Sequence, residues 1–106
     1  MINGIKQPEP EDGFIKTSER PLSALNSEQK AKLNRRGNEL YNNHDIKAAE
    51  RIFVTTGYSD GLTRIGDYYM KKNDKLTALK FYHLAHNKAK EGFILDELAA
   101  LVRLFL

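Results

Sequence analysis

The chain of 106 residues contains no cysteine. That absence excludes disulfides, thiolate metal sites and cysteine nucleophiles together, and it fits a reducing compartment. Proline is confined to Pro8, Pro10 and Pro21, so everything after Leu22 is free of the ring that breaks helices. No stretch reaches the roughly 20 apolar residues of a membrane-spanning helix, and the N-terminus shows no apolar run of signal-peptide length. The expected location is the cytoplasm. There is no phosphate-binding Gly loop, no Gly-x-Ser-x-Gly elbow and no His-Glu-x-x-His, the arrangements that would announce nucleotide, acyl-transfer or zinc chemistry. Asp96 and Glu97 are adjacent and project to different sides of a helix, which makes no acid and base pair. Neither catalysis nor a cofactor is expected.

An excess of one charge is also missing. The net charge is +3; three basic and four acidic residues precede residue 28, and 14 basic stand against 10 acidic from Glu28 onward. This is too thin an excess to suggest a phosphate-binding face, which normally concentrates Lys and Arg. A small basic helical nucleic-acid binder remains the alternative from another class.

What the chain does contain is a repeat. Leu33, Arg35 and Gly37 recur as Leu62, Arg64 and Gly66, and Asp45, Ala49 and Phe53 recur as Asp74, Ala78 and Tyr82, always 29 residues on. A fixed period of this size indicates helical hairpins, each of which needs a neighbour to bury its apolar face. The length allows one domain with a modest core. Residues 1–26 mix Gly, Pro and acids with scattered apolar side chains and are expected to form a flexible arm, in which Phe14 and Ile15 are expected to be a partly solvated apolar pair, with a docking motif as the alternative.

The helical domain is expected over 27–106, with about five helices. Asn26 or Ser27 caps the first, which presents Leu33, Leu40 and Tyr41. Asp45 caps a second, with Ile46, Ala49, Ile52, Phe53 and Thr56 on one face and Gly57 as its C-cap. The third runs from about Gly61 to Lys72. The fourth, after Asn73 and Asp74, is expected to bury Leu76, Ala78, Leu79, Tyr82, Leu84 and Ala85, to leave Lys75, Lys80, Lys88 and Lys90 in water, and to end or loosen at Gly92. A C-terminal capping helix over 93–106 carries Ile94, Leu98, Leu101 and Phe105 as one stripe and Leu95, Ala99, Val102 and Leu106 as another. So broad an apolar surface is expected to pack against the fourth helix, under the N-terminal arm, or to meet a partner or a second copy of the chain.

These residues resemble the tetratricopeptide repeat. The second copy matches its pattern at Leu62, Ile65, Gly66, Tyr69, Ala78, Tyr82 and Ala85, where small residues let two antiparallel helices approach closely. The first copy matches at Leu33, Gly37, Leu40, Ala49 and Phe53 but has Arg36 in place of an apolar residue and Thr56 in place of the final Ala. The period is 29 rather than about 34, and the closing Pro is absent. The resemblance implies an all-α fold of TPR-like stacked hairpins in a right-handed superhelix. It implies a non-catalytic scaffold or adaptor that binds a protein partner. Matching positions for a partner-binding groove are Asn34, Asn38, Tyr41, Thr63, Asp67 and Met70; Ile94, Leu98, Leu101, Val102 and Phe105 form the surface for a partner or for self-association. Asn34 and Asp67 stand where a carboxylate clamp would need other residues. The run from Ile52 to Asp74 also looks like small bacterial proteins of this type, some of them accessory to flagellar motor assembly.

Two further groups carry less. His83 and His86, three apart, lack a third ligand on a shared helix, so no metal is expected. Tyr68, Tyr69, Phe81 and Tyr82 lie among lysines, as in single-strand binders, but helical spacing places most of them inside the hairpin.

Overall fold

The computed structural model describes residues 24–106, and they form an all-α fold of five helices. These are α1 (Ser27–Asn42), α2 (Ile46–Thr56), α3 (Ser59–Lys71), α4 (Lys75–Leu84) and α5 (Lys88–Leu104). The Phe14 and Ile15 pair and the rest of the expected arm before Ala24 lie outside the described residues. Among the described residues no helix is long and apolar enough to cross a membrane.

Local chemistry sets the boundaries. Asn26 caps α1 in a reciprocal pair with Gln29: the Gln29 N–H donates to Asn26 Oδ1 at 2.8 Å and the Asn26 N–H to Gln29 Oε1 at 3.0 Å. Asp74 and Asn87 cap α4 and α5 by accepting the N–H of Thr77 and Lys90, each at 3.2 Å. Asp45 occupies the equivalent place before α2 without a side-chain hydrogen bond.

The chain reverses at residues in the left-handed region, and these obey the sequence period. His44 and Asn73 (φ 67° and 61°) close the two hairpins, while Gly57 and His86 (φ 70° and 58°) separate them, each pair 29 residues apart. The closing hydrogen bonds repeat too. Asp45 N–H to Leu40 O (2.8 Å) matches Asp74 N–H to Tyr69 O (2.9 Å), and Tyr58 N–H to Phe53 O (3.2 Å) matches Asn87 N–H to Tyr82 O (2.9 Å). They satisfy carbonyls that each helix end would otherwise orphan.

α1 packs on α2 and α3 on α4 as antiparallel hairpins; α3 then covers α2, and α5 covers α4. Each hairpin is locked by a ring seated on a glycine. A Cβ on Gly37 would lie 2.6 Å from Phe53 Cε1, and one on Gly66 would lie 2.5 Å from Tyr82 Cε1. Phe53 is wholly buried with Ile65 and Leu62, beside Ile46, Ala49, Phe81 and Ala85. Burying one such ring contributes roughly 2–3 kcal/mol. A second cluster of Ala78, Tyr82 and Ile94 joins α5 to the rest.

Three sequence expectations are corrected. The fifth helix begins at Lys88 rather than at residue 93, and Gly92 lies inside it, because the stop is supplied by the left-handed His86 and the start by Asn87. Leu76, expected to be buried, is 69% exposed: it belongs to the first turn of α4, facing away from both α3 and α5. Lys75 and Lys90 keep their exposure to solvent, as expected, while pairing with Glu97 (3.0 Å) and Asp67 (2.7 Å). His83 and His86 do not share a helix, since α4 ends at Leu84.

Candidate functional site

Helices α1 and α3 lie side by side, and the polar residues expected to line a groove fall along their seam. The structure ties most of them to neighbours. Asn34 Oδ1 accepts from the buried Thr56 hydroxyl at 2.6 Å. Asn38 Oδ1 accepts from Arg64 Nη1 at 2.8 Å, and Asn42 Oδ1 from Arg64 Nη2 at 3.0 Å. The same guanidinium lies 4.3 Å above the Tyr41 ring, and the Tyr41 hydroxyl donates back to the Arg64 carbonyl at 3.2 Å. Arg64 therefore clamps α1 to α3 through two amides and one ring, and among the described residues it forms no ion pair.

Further along α3, Thr63 accepts a long bond from Asn87 Nδ2 at 3.4 Å. Asp67 Oδ1 accepts from the Tyr82 hydroxyl at 2.5 Å and from Lys90 Nζ at 2.7 Å. Burial, with the Asp67 hydrogen bond behind it, pushes the Tyr82 phenol well above its ordinary value. Asp67 and Thr63 thus fasten α3 to α4 and α5, and are spent on the fold. Met70 lines a separate pocket of about 390 Å³ with Tyr82, Ala89, Lys90, Phe93 and Ile94.

Asn34 and Asn38 do come together. With Ser27, Lys30, Ala31, Arg35 and Tyr58 they line a cleft of about 450 Å³. No carboxylate lines it. Each amide spends its oxygen inside the fold, Asn34 on Thr56 and Asn38 on Arg64, which leaves its NH₂ as the group available to a ligand. Lys30 and Arg35 add cationic donors. The cleft is therefore a surface of N–H donors and positive charge, matched to a ligand rich in oxygen acceptors. Sequence reasoning missed Lys30, Arg35, Tyr58 and the Arg64 clamp. The recurrence of Arg35 as Arg64 at the same place in both copies was a signal for those two arginines, while nothing in the spacing marks Lys30 or Tyr58.

The other expected surface, on α5, divides in two. Ile94 is wholly buried and Leu98 is half-buried against Ala78 and Tyr82. Leu101, Val102 and Phe105 are 53%, 57% and 87% exposed. At the opposite end of the fold, Leu33, Leu40, Ala48 and Ile52 border a shallow apolar cleft of about 330 Å³ between α1 and α2. Tyr69 and Phe81 stack on each other with ring centroids 5.7 Å apart and planes 7° from parallel, and Phe81 and Tyr82 are buried, so these rings do not form a platform for bases. Among the described residues no three His, Asp or Glu side chains converge as a metal site.

The chain is 51% identical over 90 residues to an uncharacterized protein of Treponema pallidum (strain Nichols), a match that spans 85% of this chain and 86% of that protein. No protein-family model matches the chain, and no solved structure does.

Proposed function

The chain belongs to the same family as that Treponema pallidum protein, and we propose that it is a non-catalytic, TPR-like protein-binding module whose cleft along α1 holds an acidic segment of a partner protein. The observation that carries this reading is the donor-rich cleft, with Lys30, Arg35, Asn34 and Asn38 around about 450 Å³ and no lining carboxylate. A peptide carrying Asp or Glu supplies both the charge and the backbone carbonyls that such a lining accepts. The TPR-like part of the reading is supported by the shared period of the turns and by the two glycine seats. Phosphate oxygens would satisfy the same donors, but the aromatic residues that would stack bases are engaged in the core.

Calorimetric titration of a Glu-rich peptide against a single-stranded oligonucleotide tests the proposal. The peptide is expected to bind in the micromolar range, to weaken as salt rises, and to lose about tenfold in affinity in a Lys30→Glu, Arg35→Glu double variant. Equal peptide binding by the double variant excludes the cleft. Tighter binding of the oligonucleotide, with a steep salt slope, assigns the basic face to nucleic acid instead.

A further inference from the structure

Arg64 has a counterpart one period earlier that lacks its acceptors among the described residues. The Arg64 guanidinium reaches back to Asn38 and Asn42 on α1, at 2.8 and 3.0 Å. Arg35 holds the same place in the first copy and is exposed, and among the described residues no helix precedes α1. Neither Arg35 nor Lys30 forms an ion pair among the described residues. Both line the cleft of about 450 Å³ along α1, together with Ser27, where the chain enters the helix.

The chain itself carries the missing chemistry. Counting 29 residues back from Asn38 and Asn42 gives Glu9 and Gly13, so Glu9, Glu11 and Asp12 fall in the stretch where the period would set acceptors for Arg35. The nine residues between Lys6 and Lys16 hold these three acids and no base. Pro8 and Pro10 each lack a backbone N–H, so the stretch is rich in acceptors and short of donors, the complement of a cleft lined by amide NH₂ groups and cations. These residues precede the described part of the chain, and length alone permits their return. Fourteen residues separate Asp12 from Ser27, up to about 46 Å at 3.3 Å each. The cleft from Ser27 to Asn38 follows eleven residues of helix, about 17 Å.

Resting on the acidic-peptide reading of that cleft, we propose that residues 9–12 occupy it in cis, with their carboxylates on Arg35 and Lys30, and that the acidic segment of a partner enters by displacing them. The arm is thus a built-in competitor. A tether of this length holds its segment at an effective concentration on the order of 1 mM. With an intrinsic dissociation constant of about 100 µM, such a segment fills roughly nine clefts in ten and weakens a competing peptide about tenfold.

The full chain and a full-length Glu9→Gln, Glu11→Gln, Asp12→Asn variant test this, by NMR without peptide and by calorimetry with the Glu-rich peptide. The side-chain NH₂ signals of Asn34 and Asn38 and the amide signals of Lys30 and Arg35 should differ between the two chains, those of Ile94 and Leu98 on α5 should not, and the variant should bind the peptide about tenfold more tightly. Cleft signals that stay in place overturn the arm contact whatever the affinities, because removing three negative charges also favours an acidic peptide at long range. Moved signals with equal, measurable peptide affinity overturn it as well, since the arm then does not compete. A difference that grows with concentration over an approximately hundredfold range overturns it in favour of an arm that reaches a second copy. Cleft signals that move while neither chain takes up the peptide uphold the arm contact and overturn the acidic-peptide reading. Unmoved signals with firm peptide binding do the reverse.

Discussion

The ring of Tyr82 occupies the space that a side chain at Gly66 would need, with Cε1 only 2.5 Å from the position of a Cβ. The ring cannot easily retreat, because it is buried and its hydroxyl is held by Asp67 at 2.5 Å. Alanine normally stabilises a helix interior relative to glycine by up to about 1 kcal/mol, but here the overpacking outweighs that gain. Gly66→Ala is expected to destabilise the fold by about 1–3 kcal/mol, read as a lower urea midpoint with an unchanged slope.

Tyr82 also makes stability depend on alkaline pH. Burial and the Asp67 hydrogen bond raise its folded pKa above the ordinary 10.0. The group therefore contributes stability that is fully present below pH 10 and is lost as pH rises beyond it, because the unfolded chain releases a proton that the folded chain retains. The slope is about 1.4 kcal/mol per pH unit for one such group. Tyr69 is shifted the same way, chiefly by burial. Urea titrations between about pH 9 and 11.5 should show falling stability in the wild type and a shallower fall in Tyr82→Phe. An identical slope in the variant removes Tyr82 as the cause.

Arg64 holds α1 and α3 together by geometry that lysine cannot copy. Its two terminal nitrogens reach Asn38 and Asn42 while its plane covers Tyr41 at 4.3 Å. Arg64→Lys keeps the charge and is still expected to cost about 1–2 kcal/mol. It should also weaken acidic-peptide binding, since Asn38 would no longer be oriented with its NH₂ free. Thermal unfolding and calorimetry of the same variant separate the two effects.

Thr56 explains a departure from the repeat pattern. Where the second copy has Ala85, the first has a buried threonine whose hydroxyl donates to Asn34 at 2.6 Å. Thr56→Ala, which restores the pattern, is expected to destabilise by about 1 kcal/mol rather than stabilise. Asn34 is then free to turn its oxygen toward the cleft, and peptide affinity should fall with it.

The hairpins were legible because their determinants are local and periodic. Gly37, Ala49 and Phe53 in one copy and Gly66, Ala78 and Tyr82 in the other mark the same close helix crossing, and residue type alone announces it. The start of α5 was hidden because His86, rather than the glycine found at Gly57, adopts the left-handed turn, while Gly92 resembles a stop and is not one. Leu76 was misassigned because α4 is apolar at successive positions, so spacing does not distinguish its inner from its outer face. The cleft was the least legible part. Pairings such as Arg64 with Asn38 and Thr56 with Asn34 join residues 26 and 22 positions apart, and no helical period encodes which polar side chains meet across helices.

The common offset of the turns also governs which changes of length the chain can absorb. Excising residues 46–74 removes 29 positions and joins Asp45 to Lys75, so that Gly37 faces Tyr82 in place of Phe53 and every remaining turn keeps its left-handed residue. A deletion of another length that runs from between Gly37 and Phe53 to between Gly66 and Tyr82 sets the new pair of ring and glycine out of step. Across those bounds the chain therefore shortens in register only by a whole period, and its length there is in effect counted in hairpins.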